Sequence, residues 1–151
     1  MASTNTRIST IAVVDPASSG FVFCALALRA DVRVVRVNSV PVSAKQAAFL
    51  PPDLRDLVFT GTHTYADDLP KLLEELRPYQ IRAVFAGSEP GVMFTDVLSE
   101  ALGVYTNGAA LRQCRRNKFA MQEQLKKAGV RSIHQMSVDE KSLKADILVR
   151  T

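Results

Sequence analysis

The chain has 151 residues, 47% of them hydrophobic and 23% charged, with a net charge of +4 at pH 7. That composition excludes a disordered chain, and the length fits one domain able to bury roughly 68–70% of its unfolded surface. Two cysteines, Cys24 and Cys114, are too few for a disulfide framework. No apolar run approaches the roughly 20 residues that cross a bilayer, and the polar start MASTNTRIST has no secretory h-region, so a cytoplasmic protein with no membrane partner is expected.

In chain order, strand and helix alternate. The β-branched run RISTIAVVD (7–15) reads as a buried first strand ending in an Asp-Pro loop. Residues 18–30 keep helical spacing at Val22, Ala25, Leu26 and Arg29, with Ser19 as the expected N-cap. VRVVRV (32–37) reads as a second strand, and its arginines suggest a partly exposed edge. Residues 38–53 carry Pro41, Pro51 and Pro52 and little periodicity, which predicts a long loop with one short helix around 44–50. DLVFTGT (56–62) reads as a third strand.

The clearest helix is 67–79, with Leu69, Leu72, Leu73 and Leu76 on one face and Lys71, Glu74, Glu75 and Arg77 on the other. IRAVFAG (81–87) is a fourth strand. Residues 91–103 form another helix, stopped by Gly103. A short strand near Val104–Tyr105 follows. A last helix runs from Lys118 to Ala128, capped by Asn117 and ended by Gly129. The tail ADILVRT (145–151) reads as a strand. This βαβ series predicts an α/β, Rossmann-like fold, a mostly parallel sheet with helices on both faces. Ligands of such sheets sit at the carboxyl ends of the strands, so the loops DPASSG (15–20) and GSEPG (87–91) are the candidate site and are expected side by side.

Three segments can carry chemistry. In DPASSG, N–H groups at a helix start favour an anion or substrate, yet only Gly20 is glycine, short of a dinucleotide fingerprint. A plain loop with an N-cap fits equally. In GSEPG, Glu89 stands at the sheet mouth, where it could hold a substrate amine or a metal or move a proton; a turn whose acid favours the helix start is the other reading. RQCRRNK (112–118) puts Arg112, Arg115, Arg116 and Lys118 at a helix N-terminus, where cations oppose the macrodipole unless an anion such as a nucleotide phosphate shares the site. A solvated basic segment is the alternative. It has no interleaved aromatics to stack on bases and no recognised motif, so nucleic acid is not an expected partner. His63 and His134 have no metal-ligand spacing around them. No nucleophile–base pair is apparent, so no catalytic and no metal-binding residue is assigned.

Together VVDPASSG (13–20), AGSEPGVMFTDVLSEALGV (86–104) and NGAALRQCRRNKFAMQEQLKKAGV (107–130) resemble the ATP-grasp superfamily, in particular its carboxylate–amine ligases. The third segment is the most specific. The resemblance implies a pre-ATP-grasp domain over 1–113 and the start of the ATP-grasp subdomain over 114–151. It implies that Lys118, with Arg116, reaches the bound nucleotide. It places Ser18, Ser19, Gly20, Ser88 and Glu89 on the substrate side, facing a small-molecule carboxylate or amine. ATP and magnesium are the implied cofactors, serving acyl-phosphate formation and then attack by an amine. The family's lid and acidic magnesium ligands have no match in the chain, so it is expected to act as the substrate-side part of a ligase and not to turn over or hold these cofactors alone. A stand-alone, non-catalytic Rossmann-like binding or protein-interaction module is the alternative. Self-association through 117–151 is expected from a narrow apolar helix face and an unpaired strand-like tail.

Overall fold

The computed structural model describes residues 9–43 and 57–136. Four short strands form one parallel sheet in the order β3-β2-β1-β4: β1 Thr10–Val14, β2 Arg33–Asn38, β3 Gly61–Thr64 and β4 Ala83–Ala86. Helix α1 is Ser19–Arg29, α2 is Leu69–Leu76 with a following 3-10 turn Arg77–Tyr79, and α3 is Val92–Ala101. Alternate strand residues feed two cores, as the period-2 geometry of a strand requires. Ala12, Val14, Val35 and Val37 pack with Leu72 and Leu76 of α2 and Leu98 of α3. On the other face Val13 and Val34 pack with Cys24, Ala27 and Leu28 of α1. Helices therefore cover both faces, the expected α/β arrangement.

The second strand is not an edge. It lies between β1 and β3, with Val34, Val35 and Val37 fully buried. The arginines mislead because Arg33 is exposed at the strand's start, while Arg36 lays its guanidinium over the Phe21 ring, 5.5 Å from the centroid. A long cationic side chain can cover apolar surface and still keep its head near water. The third strand is displaced toward the carboxyl end of its expected range. Pairing of Val35 with Gly61 through Asn38 with Thr64 sets the register, whereas Leu57 and Phe59 serve as packing against the α1-side core.

Three helices end in the same way. In each, the residue at C′ has positive φ and two N–H groups return to the last turn. Gly103 and Gly129 do this for α3 and for the later helix Lys118–Lys127, and Asp31, with φ 58°, does it for α1. This cap explains why no strand forms at Val104–Tyr105. The Val104 N–H donates to the Ser99 carbonyl, its side chain packs on the core, and Tyr105 is exposed. The N-cap of α1 is Ser18, not Ser19. Residues 39–43 carry no helix, and the expected helix around 44–50 and strand over 145–151 lie outside the described residues.

The chain divides into two compact units, Met1–Arg112 and Gln113–Thr151. A short helix α4, Arg112–Arg116, missed in the sequence, precedes α5, Lys118–Lys127. In α5 the Asn117 side chain accepts from the Ala120 N–H at 3.0 Å, the cap expected of it. Among the described residues no helix is long and apolar enough to cross a membrane.

Candidate functional site

The chain leaves β1 for α1 on one face of the sheet and leaves β4 for α3 on the other. Strand order reverses between β1 and β4, and the loops after these two strands lie at the carboxyl edge where open parallel sheets receive ligands. They are adjacent, as expected. The Ala17 N–H donates to the Gly87 carbonyl at 3.3 Å. A Cβ on Gly20 would run into the Gly87 carbonyl, and one on Gly87 would stand 2.5 Å from Pro16 Cα. The absence of side chains at these two positions is what allows the loops to touch.

The substrate-side candidates fall in this mouth. Ser18 and Ser19 are exposed at the start of α1, and Gly20 is buried beneath them. Ser88 is half-buried and Glu89 exposed in a turn closed by Gly91 N–H to the Ser88 carbonyl, 3.1 Å, and Val92 N–H to the Glu89 carbonyl, 3.3 Å. The α1 start differs from a ready anion cradle. The N–H groups of Gly20, Phe21 and Val22 already donate to the carbonyls of Ala17 and Ser18. The Ser18 side chain makes no cap bond, and the helix amides of 20–22 are already engaged.

A polar network missed in the sequence lies behind the mouth. Asp15, with φ 47°, accepts from the Ser39 N–H at 2.7 Å and from the Ser39 hydroxyl, tying the β1 loop to the end of β2. Arg36 donates from Nε to Asn38 Oδ1 at 2.9 Å, and Asn38 Nδ2 donates to Thr64 Oγ1 at 3.1 Å. Desolvation lowers the Arg36 guanidinium below its usual range, with Cys24 and Asp15 pulling it back up. Burial likewise pushes the Cys24 thiol up to about 11, against the pull of Arg36. The usable signal was the spacing of Arg36 and Asn38, two apart on one strand face; contacts such as Asp15 to Ser39 join positions 24 residues apart and leave no local trace.

The basic candidates belong to the second unit. Arg116 ends α4 and Lys118 opens α5, and both are exposed. Among the described residues no three His, Cys, Asp or Glu side chains converge to hold a metal ion.

The fold is shared with solved structures of a ligase and two synthetases. L-amino acid ligase from Bacillus licheniformis superposes with a TM-score of 0.61 at 14% identity, over 93% of this chain and 42% of its own. N5-carboxyaminoimidazole synthetase from Staphylococcus aureus, solved with ADP, gives 0.58 at 18% identity over 94% and 36%. Phosphoribosylglycinamide synthetase from Anaerococcus prevotii gives 0.56 at 14% over 93% and 34%. In sequence, 65 residues, 42% of this chain, are 49% identical to dapdiamide A synthase of Enterobacter agglomerans, of which they make up 15%. No protein-family model matches. The chain thus spans less than half the length of each of these relatives.

Proposed function

We propose that this chain is the substrate-side, amino-terminal part of an ATP-dependent carboxylate–amine ligase. The observation that carries the reading is the 49% identity to dapdiamide A synthase over 65 residues, far above the identities of the structural neighbours, which bear on fold alone. The meeting of the 15–20 and 87–91 loops at the switch point supports it, because that is where an open parallel sheet receives a small molecule. In this reading Ser18, Ser19, Gly20 and Ser88 line the substrate side, and the Glu89 carboxylate attracts a substrate ammonium. Residues 1–113 are the pre-ATP-grasp domain and 114–151 open the ATP-grasp subdomain, with Lys118 and Arg116 turned to nucleotide phosphates. ATP, when bound in a complete ligase, supplies the phosphoryl group that activates a carboxylate. This chain's own part is to position the small molecule.

Calorimetric titration of the chain with a panel of amino acids tests the proposal. Saturable binding is expected, weakened about tenfold in Glu89→Gln, as for loss of a charge-assisted hydrogen bond. Binding of no member of the panel, or identical affinities for Glu89→Gln and the unaltered chain, would contradict it.

A further inference from the structure

Arg36 is a half-buried cation at the carboxyl end of a central strand, and no role has yet fallen to it. Among the described residues no carboxylate lies within ion-pair range of it. Asp15 is the nearest acid in electrostatic terms, but its two oxygens are held by the N–H and hydroxyl of Ser39. The Arg36 Nε is committed to Asn38 Oδ1. The two terminal nitrogens carry the rest of the guanidinium's five N–H donors, and their end-on fork matches the paired oxygens of a carboxylate or a phosphate.

The surroundings fix where that fork lies. Arg36 pairs in register with Val13 on one side and Thr62 on the other. Val13 is fully buried and Thr62 exposed, so the side chain sits between covered core and open surface. The ring beneath it is Phe21, in the first turn of α1, which the Asp15–Gly20 loop feeds directly. Asn38, two residues along the same strand and itself bonded to Thr64 of β3, holds the guanidinium through Nε. A stacked, hydrogen-bonded arginine has lost much of its rotamer freedom before any ligand arrives, and binding is stronger for that.

We infer that Arg36 is an oxyanion anchor at the carboxyl edge, taking the carboxylate or phosphate of a small-molecule ligand through its terminal nitrogens. The inference rests on the reading of the mouth as a small-molecule site and adds the cation that the two loops lack.

The test titrates the full chain with inorganic phosphate and, separately, with acetate, at constant ionic strength, following the Arg36 Nε–Hε signal by nitrogen-15 NMR and binding by calorimetry. One or both probes are expected to shift that signal saturably, and whichever does so names the source of the oxyanion. Arg36→Gln is expected to weaken binding of that probe at least about tenfold, with Arg36→Lys intermediate because it keeps the charge and loses the fork. An Arg36 signal that neither probe moves overturns the inference, whether or not the variants fold. Equal affinity in folded Arg36→Gln overturns it too. Amino-acid binding that depends on Glu89 but is indifferent to Arg36 would overturn the anchor and leave the proposed function standing.

Discussion

Gly20 and Gly87 determine how closely the two loops of the mouth can approach. Adding a methyl group at Gly20 forces it against the Gly87 carbonyl, and backbone cannot step aside as a flexible side chain can. Gly20→Ala is therefore expected to destabilise the chain by about 1–3 kcal/mol, the usual range for overpacking. Ser19→Ala, at an exposed neighbour, should stay within about 0.5 kcal/mol. Urea midpoints of the two variants check this; equal midpoints would mean that the loops are not in contact. Cys24 gives the pH-dependent counterpart. Its thiol is fully buried and raised to about 11 from 9.0. The unfolded chain gives up this proton first, so stability is retained below pH 9 and falls as pH rises toward 11. Cys24→Ala should lose that decline relative to the unaltered chain in thermal melts between pH 8 and 10.5. Parallel pH profiles would show that the thiol is not protected by the fold.

At the scale of elements, the helices differ in what holds their starts. Asp68 caps α2, its Oδ1 accepting from the Lys71 N–H at 3.0 Å, whereas Ser18 caps α1 with no side-chain bond. Asp68→Ala is expected to cost about 1 kcal/mol and Ser18→Ala only a few tenths, measurable by chemical denaturation; the reverse order would refute the assignment of the caps. The same elements show what one sequence reveals. The leucine stripe of α2 and the glycine stops of α3 and α5 were legible because each is a local rule of spacing or backbone freedom. The Asp31 stop was not, since a non-glycine residue at positive φ looks like any other aspartate. Leu57 and Phe59 look like strand residues, yet the pairing of β2 with Gly61–Thr64 decides where β3 lies. The central place of β2 was hidden because Arg36 rests on Phe21 and bonds Asn38, contacts that only the folded sheet creates.

For the whole molecule, strand–helix alternation sufficed to place the two loops at one sheet edge, and the sequence resemblance pointed to the same ligases whose fold the chain shares. The Arg36 and Asp15 networks behind the mouth required the tertiary structure. In the second unit, Phe119, Val130, Ile133 and Met136 are all more than 40% exposed, although the segment after α5 is tied to it by Gln122 and Gln135. We propose that this apolar surface drives self-association through 117–151. Sedimentation of the full chain should show a concentration-dependent increase in mass that a version ending at Gln113 lacks; monomers in both cases would rule it out. The most direct test of the central claim, that the carboxyl-edge mouth receives a small molecule, is a map of backbone amide shifts on titration with amino acids. Saturable changes are expected to concentrate at Ala17–Gly20 and Gly87–Gly91. Changes confined to other surfaces, or none at saturating ligand, would contradict it.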